Sequence, residues 1–202
     1  EASSIGLVEG RLNAIQVRVA VFTNFTQDHL DFHGSMDAYW EAKAALFGWP
    51  GLAAAVVNTD DARGARLADR LTGRALDLWT VGIESSARLN AVNVSFTQAG
   101  MAFDVVERDA QGVELDRHSL QVPLVGHYNV SNLLCVLASA RALGVSLQQA
   151  VKACGALTPV PGRMEQAEAA AADQPLVLVD YAHTPDALEK ALQALQPLAA
   201  RR

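Results

Sequence analysis

An apolar run at residues 17–22 changes abruptly into a polar loop, and this change constrains the fold more than any other feature of the chain. The run reads as a buried strand. The loop after it, FTNFTQDHLDFHG at residues 22–34, concentrates Thr, Asn, Asp and His side chains. A core rarely holds so many polar groups together, because each loses its hydration unless it finds a partner. Ligands of open α/β sheets bind at the carboxyl ends of strands. The sequence therefore predicts a metal and phosphate site at the end of this strand.

Apolar runs alternate with helical patterns in the first part of the chain, which favours a mostly parallel sheet and an α/β fold. The middle of the chain instead shows consecutive strands joined by short turns, as in a small antiparallel meander with one solvated face. We expect strands at residues 17–22, 53–57, 76–81, 89–97, 101–108, 116–122 and 176–179. We expect helices at residues 36–47 (capped by Ser35 or Asp37), 63–71, 126–143, 146–153 (capped by Ser146) and 186–195, with a hairpin loop or domain linker at 167–175.

Length and charge exclude several classes of protein. The chain has 202 residues, half of them hydrophobic, and a net charge of -6. It has no basic stripe, so we expect no nucleic-acid partner, although a few local donors suffice for a small phosphorylated ligand. No apolar run reaches the roughly 18 residues of a membrane helix, and the polar first residues do not resemble a secretory leader. We expect a cytoplasmic monomer that does not insert into membranes.

The two cysteines, Cys135 and Cys154, lie in apolar helical contexts. This placement predicts buried free thiols in a reducing compartment, rather than a disulfide or a catalytic role.

Polar residues recur wherever a predicted strand ends or a predicted helix begins. One such segment is an ordinary cap, but four in one chain indicate a common crevice. The segments are Asp28 with His29, residues 58–61 (NTDD), residues 129–132 (NVSN) and residues 180–185 (DYAHTP).

His29 and Lys43 are the candidates for metal chemistry. A neutral imidazole binds divalent metals, and the flanking carboxylates of Asp28 and Asp31 can fix its tautomer, although a turn histidine fits the spacing equally well. Glu1 offers a hard carboxylate of the kind that Mg²⁺ prefers, or is simply solvated. A lysine in a helix normally extends to water, but burial would lower the pKa of Lys43 and let the neutral amine take up carbon dioxide as a carbamate.

Arg163 and Asp180 are the candidates for binding a nucleotide. Arg163 follows the tight turn Pro161-Gly162, which suits a bidentate contact to phosphate, although a surface arginine is an equal alternative. Asp180 ends an apolar strand that we expect to be buried, where its carboxylate can accept ribose hydroxyls. The alternative role of Asp180 is to cap the following helix.

With these residues in view, the chain resembles the Mur ligases of bacterial cell-wall synthesis. Within that family it looks like the branch that adds the third residue of the peptide. The segments that carry the resemblance cover almost the whole chain: EASSIGL at residues 1–7, FTNFTQDHLDFHG at 22–34, EAK at 41–43, NTDD at 58–61, GHYNVSN at 126–132, GRME at 162–165 and DYAHTP at 180–185.

The resemblance implies a role for each matching residue. Glu1, His29 and a carbamylated Lys43 would hold Mg²⁺, with His29 and Lys43 also serving catalysis. Ser3 and Arg11 would contact the nucleotide-sugar peptide. The residues implied around ATP are Asn129, Asn132, Arg163, Asp180 and His183.

The resemblance also implies a reaction. The γ-phosphate of ATP would activate the side-chain carboxylate of D-Glu in UDP-N-acetylmuramoyl-dipeptide as an acyl phosphate, which the amine of a diamino acid then attacks. We expect meso-diaminopimelate as that amine and L-lysine as the second choice. Mg²⁺ and cationic side chains would stabilise charge on the phosphoryl group in transfer.

The chain departs from the family pattern in three respects. Ile5 stands where many relatives have His, and Glu9 where many have Gln. No Gly-rich phosphate loop ending in Gly-Lys-Ser/Thr occurs in the 202 residues. We therefore interpret the chain as a fragment without activity of its own. Residues 1–170 form part of a P-loop-type central ATPase domain, and residues 174–202 begin a Rossmann-like C-terminal domain.

Two other functions fit the same residues. A metallohydrolase would use His29, Asp28, Asp60 and a carbamylated Lys43 around a transition metal, although the chain has few clustered histidines. A non-catalytic nucleotide-binding module would leave Lys43 exposed and unmodified.

Overall fold

A six-stranded sheet organises the chain, which a computed structural model describes at residues 1–97, 100–158, 160–167, 177–183 and 185–199. The helices are α1 (Ser4–Val8), α2 (Leu30–His33), α3 (Met36–Ala44), α4 (Ala62–Leu71), α5 (His127–Ala142), α6 (Leu147–Cys154) and α7 (Pro185–Ala199), with a 3₁₀ turn at Ala45–Gly48. The strands are β1 (Val19–Phe22), β2 (Ala54–Asn58), β3 (Asp77–Gly82), β4 (Leu89–Thr97), β5 (Gly100–Arg108), β6 (Glu114–Val122), β7 (Glu165–Gln166) and β8 (Leu178–Val179).

The large sheet has the strand order β1-β2-β3-β4-β5-β6. Strands β1 to β4 pair in parallel, and β4, β5 and β6 pair antiparallel. The β3–β4 pairing is short, from Val81 opposite Leu89 to Gly82 opposite Asn90, because β4 starts beside the end of β3 and continues past it. The predicted α/β fold, with a mostly parallel sheet and a meander, is confirmed, and the meander extends the same sheet.

Alternate residues of the central strand β2 face opposite sides of the sheet. Val56 packs into a core with α5 and α6, whereas Ala55 and Val57 pack into a second core with α3 and α4. All five residues of β2 are buried, as expected of a parallel strand covered on both faces. The two helical layers thus leave only the strand ends open to a ligand.

Side-chain caps fix where the helices begin. Ser35 caps α3 by accepting a bond from the Ala38 N–H, and Ser146 caps α6 in a capping box with Gln149. Both caps agree with the sequence, which also allowed Asp37 for α3. The expected helix at 36–47 is α-helical only to Ala44, after which it tightens into the 3₁₀ turn.

The last part of the chain forms a hairpin and a helix. Strand β7 pairs antiparallel with β8, with Glu165 opposite Val179, and α7 follows. The expectation of a buried strand is wrong, because Val177 and Val179 are 53% and 49% exposed. Among the described residues β8 pairs only with β7, which leaves Val179 exposed and Leu178 half-buried. Residue 176 and most of the expected linker, residues 168–175, lie outside the described residues. The domain boundary near residue 170 remains a prediction.

None of the helices in the described ranges combines the length and apolar character needed to cross a bilayer.

Candidate functional site

A cavity of about 570 Å³ lies at the carboxyl ends of β1 and β2. Thr23 and Asn24, which follow β1, line it together with Asn58, the last residue of β2. The side-chain amide of Asn58 donates to the Thr23 carbonyl at 2.8 Å, so the two strand ends are tied together. All five residues expected around ATP line this one cavity: Asn129, Asn132, Arg163, Asp180 and His183.

The start of α5 forms one wall of the cavity. The amide of Asn129 donates to the Val125 carbonyl at 2.7 Å, which fixes the side chain at the first turn. The amide of Asn132 lies 3.4 Å from the Asn129 oxygen, a long contact that leaves its bonding capacity for a ligand. Gly126, with φ of 97°, precedes the helix, and a Cβ there would lie 3.0 Å from the Cβ of Ala194 on α7. Glycine therefore allows α7 to approach the cavity closely.

Asp180 lies in another wall of the cavity and bonds two loops there. One carboxylate oxygen accepts the Met164 N–H at 2.9 Å, and the other accepts the Ala182 N–H at 2.8 Å. The alternative role for Asp180 as a helix cap is wrong, because α7 begins five positions later at Pro185. Asp180 instead holds the Arg163 loop and the His183 loop side by side.

Arg163 and His183 lie on these two loops. The Arg163 guanidinium is 5.6 Å from the ring centroid of Tyr181, and His183 Nδ1 is 2.9 Å from the Tyr181 carbonyl oxygen. Burial raises the pKa of Tyr128, Asp180 raises it further and Arg163 lowers it. The charges of Asp180 and Arg163 therefore both act on Tyr128 in the cavity wall.

Sequence reasoning missed the aromatic walls of the cavity. Tyr128 and Tyr181 both line it, yet neither was assigned a role. A signal was present, since each tyrosine lies inside a polar segment at a strand end or helix start.

Lys43 lies at the centre of a second cluster. It is half-buried in the last turn of α3, with Nζ 5.1 Å from the ring centroid of Tyr39 one turn earlier. Burial lowers the pKa of Lys43, and the charges of Glu1 and Asp28 partly oppose this shift. The residue expected to react with carbon dioxide is therefore biased toward its reactive neutral amine, and it lies within the field of two carboxylates.

His29 also contacts Tyr39. It adopts the left-handed conformation with φ of 51°, which is uncommon for a residue other than glycine. Its N–H donates to the Asp28 carboxylate at 2.8 Å, and its ring Nδ1 lies 3.5 Å from the same oxygen. The ring meets Tyr39 edge-on at 6.2 Å between centroids. Asp28 thus lies beside Nδ1 of the imidazole.

The described side chains alone do not complete a metal site. They contain no group of three or more His, Cys, Asp or Glu residues placed to hold a metal ion. A carbamate on Lys43 would add two oxygen donors of the kind that Mg²⁺ accepts to the carboxylate of Glu1, whose charge acts on Lys43. The donor types fit Mg²⁺, and a magnesium site formed by Glu1, His29 and a modified Lys43 remains a prediction.

Ser3 and Arg11 lie outside the cavity. Ser3 caps the short helix α1 by accepting the Gly6 N–H at 3.0 Å, and Arg11 is exposed and ion-paired with Glu9. The helix is tied to the polar loop by a 2.9 Å contact between His33 Nε2 and the Ser4 hydroxyl. The substrate-binding roles of Ser3 and Arg11 remain predictions.

Asp60 supports the fold and does not point into either cluster. Its carboxylate accepts the N–H groups of Ile83, Glu84 and Ser85 at 2.6, 3.2 and 2.8 Å, which closes the turn between β3 and β4. Asp60 therefore has a structural role at this turn, which does not require a metal.

Comparisons with known proteins agree on one family. Residues 1–140 match the Mur ligase middle domain. The chain is 59% identical over its full length to a UDP-N-acetylmuramoyl-L-alanyl-D-glutamate--2,6-diaminopimelate ligase from Acidovorax sp. (strain JS42). It is 44% identical over its full length to a ligase of the same name from Pseudomonas aeruginosa. The chain spans 39% and 40% of these two relatives.

Solved structures give the same result for the fold. A structure of a UDP-N-acetylmuramoyl-L-alanyl-D-glutamate--2,6-diaminopimelate ligase matches 98% of this chain with a TM-score of 0.79 and 38% identity, and the match covers 39% of that chain. A D-alanyl-D-alanyl-adding ligase from Acinetobacter baumannii matches 91% of this chain and 38% of its own, with a TM-score of 0.72. Its identity of 23% supports the fold alone.

Proposed function

Because the chain belongs to the Mur ligase family, we propose that it supplies the nucleotide-facing part of an ATP-dependent amide ligase. The reaction is the joining of meso-diaminopimelate to UDP-N-acetylmuramoyl-L-alanyl-D-glutamate in peptidoglycan synthesis, with L-lysine as the second candidate amine. The relatives that carry this name support the substrate class. The observation that carries the proposal is that one strand-end cavity is lined by all five residues that the resemblance places around ATP.

The cavity residues offer the contacts that a nucleotide needs. The Arg163 guanidinium suits a bidentate bond to phosphate. Asp180 uses one lone pair on each oxygen for the loop amides and keeps others for ribose hydroxyls. Asn129, Asn132 and His183 add donors and acceptors for the remaining polar edge of the ligand.

We propose that the Lys43 cluster balances charge on the transferring phosphoryl group. Glu1, His29 and the carbamate of Lys43 would hold Mg²⁺, which lowers the energy of the developing negative charge. Asp28 Oδ1 lies 3.5 Å from His29 Nδ1, and the Lys43 ammonium lies 5.1 Å from the ring centroid of Tyr39. These residues act by position and charge, which is the main contribution of a protein to phosphoryl transfer.

The chemistry has two steps. The side-chain carboxylate of D-Glu attacks the γ-phosphorus of ATP, which gives an acyl phosphate and ADP. The amine of the diamino acid then attacks the acyl carbon, and inorganic phosphate leaves as the amide forms. The 202 residues contain no Gly-Lys-Ser/Thr phosphate loop, so we propose that the chain does not perform this reaction alone.

Two other functions fit the structure less well. The metallohydrolase requires Asp60, which instead closes a turn. The non-catalytic module requires an exposed Lys43, whereas the residue is half-buried with a lowered pKa. The cytoplasmic, monomeric state stays a proposal, consistent with a net charge of -6 and testable by size-exclusion chromatography with light scattering.

A segment exchange tests the proposed function. The matching segment of the Acidovorax ligase is replaced by this chain, and phosphate release is measured with ATP, the dipeptide nucleotide and diaminopimelate. We expect turnover that requires all three substrates, is lost in His29→Ala and Lys43→Ala, and persists in Lys152→Ala, a change in the last turn of α6. A folded chimera without turnover, or one indifferent to His29 and Lys43, would contradict the proposal.

A further inference from the structure

The loop after β1 serves both halves of the candidate site. Thr23 and Asn24 line the nucleotide cavity, whereas Asp28 and His29 lie in the Lys43 cluster. Phe25 lies between these pairs in the chain. The backbone at Phe25 therefore connects the loop residues that line the cavity with those of the Lys43 cluster.

A single carboxylate holds this backbone. The Phe25 N–H donates to Oδ2 of Asp61 at 2.9 Å, across 36 residues of sequence. The other oxygen, Oδ1, accepts the N–H groups of Arg63 and Gly64 at 2.8 and 3.1 Å and so caps α4. One oxygen thus belongs to the helix and the other to the loop.

Close packing fixes the position of Asp61. A Cβ on Gly64 would lie 1.9 Å from the carbonyl oxygen of Asn58, so only glycine lets the first turn of α4 rest on the end of β2. The carboxylate therefore projects from a rigid part of the sheet and helix framework, not from a loop.

The Phe25 ring is held as well as its backbone. Its centroid lies 4.9 Å from that of Tyr39 and 5.4 Å from that of Trp40. The Arg63 guanidinium lies 5.6 Å from the Phe25 centroid and donates to Asp37 on α3 at 2.8 Å. The ring packing fixes Phe25 laterally, and the bond to Asp61 fixes its distance from α4.

We propose that Asp61 is a positioning residue. Its bond to Phe25 fixes the position of the nucleotide cavity relative to the Lys43 cluster. Asp61 does not line the cavity, so it acts on the reaction only through the loop. The catalytic meaning of this inference rests on the proposed function, whereas the loop geometry is testable without it.

Two variants separate the loop bond from the helix cap. In Asp61→Ser, the hydroxyl still caps α4 but is too short to reach Phe25. In Asp61→Asn, the amide oxygen caps the helix while its NH₂ group faces the Phe25 N–H, so two donors oppose each other. Ser146→Ala is the control, because it removes a helix cap of the same kind at α6.

Nuclear magnetic resonance of the 202-residue chain gives the main result. We expect the Phe25 amide to exchange with solvent roughly tenfold faster in both variants. We expect shifted signals on both sides of it, at Asn24 and at His29, while the amides of α4 keep their protection in Asp61→Ser. Ser146→Ala should leave these signals unchanged. Unaltered Phe25 exchange, shifts on one side only, or the same shifts in the control would overturn the inference.

A second measurement separates this inference from the proposed function. The carbon dioxide adduct on Lys43 is measured by native mass spectrometry, with acid treatment as the blank. We expect lower occupancy in Asp61→Ser than in the parent and in Ser146→Ala, and equal occupancy in all three would overturn the inference. A parent chain without adduct would count against the proposed function, and the exchange data would still decide the role of Asp61.

Discussion

The two halves of the large sheet use polar side chains in opposite ways. In the antiparallel half, Glu107 is 5% exposed and bonded through both oxygens to Arg141, so its bonding capacity is used within the fold. At the strand ends of the parallel half, Asn132 and His29 are exposed and only loosely bonded to neighbours. The difference shows that the type of a polar residue does not reveal its role, whereas its unused bonding capacity next to a cavity does.

The largest expected effect comes from removing the buried ion pair of the antiparallel half. Glu107→Ala leaves the Arg141 guanidinium, 25% exposed, without its carboxylate, and should lower the free energy of unfolding by roughly 3–5 kcal/mol. The control is Glu114→Ala, which removes a similar two-bond pair with Arg117 at the surface and should leave urea unfolding close to that of the parent. Equal effects of the two changes would show that burial does not distinguish these pairs.

The next effect concerns the cavity. Asn132→Ala should weaken nucleotide binding about five- to tenfold through loss of a neutral hydrogen bond, with no measurable change in thermal stability. Val136→Ala, an exposed change one turn later on α5, should alter neither quantity. Calorimetric titration of the chimeric ligase with ATP gives the affinity, and a stability loss in Asn132→Ala without an affinity loss would assign the residue to the fold.

A smaller effect is expected at Lys43, where the contribution to stability depends on pH. Burial lowers the pKa of Lys43 in the folded chain, so folding disfavours its charged form. The resulting loss of stability is fully present below the folded pKa and disappears as pH rises through the ordinary value of 10.5. Lys43→Met should therefore raise Tm at pH 7, on the order of 1–3 °C, in buffer free of carbon dioxide. The gain should shrink toward pH 10.5; a gain constant with pH would indicate packing instead.

The smallest effect is expected at the cysteines. Burial raises the pKa of Cys135 to about 12 and also raises the pKa of Cys154, and both thiols are free and buried. A disulfide reagent should therefore react with neither thiol in the folded chain and with both in urea. Rapid labelling of the native chain would contradict this placement in the core.

The sequence predicted local features well because short-range patterns encode them. The strand at 89–97 and the cap at Ser146 follow from periodicity and from hydroxyl chemistry, and both are present. The five nucleotide candidates meet at one cavity although the strands that precede them, β6 and β8, pair antiparallel, so the parallel pattern alone does not explain their convergence.

Long-range contacts set the limits of that prediction. Asp60 was a candidate ligand of the metallohydrolase, and Asp61 belonged to the same polar segment. Asp60 bonds a turn 23–25 residues away, and Asp61 bonds a loop 36 residues away. Tyr39 had no predicted role in the site, although it contacts both His29 and Lys43. No local pattern encodes which loop a carboxylate reaches, so these roles required the structure.

The most direct test of the central claim is a titration of the isotope-labelled chain with Mg–ATP, followed by nuclear magnetic resonance. We expect saturable shifts of the resonances of Asn129, Asn132 and His183, with a dissociation constant for Mg–ATP on the order of millimolar. The resonances of Glu107 and Arg141 should not change. Shifts centred on the antiparallel half, or no saturable shift at the strand-end cavity, would contradict the assignment of that cavity to the nucleotide.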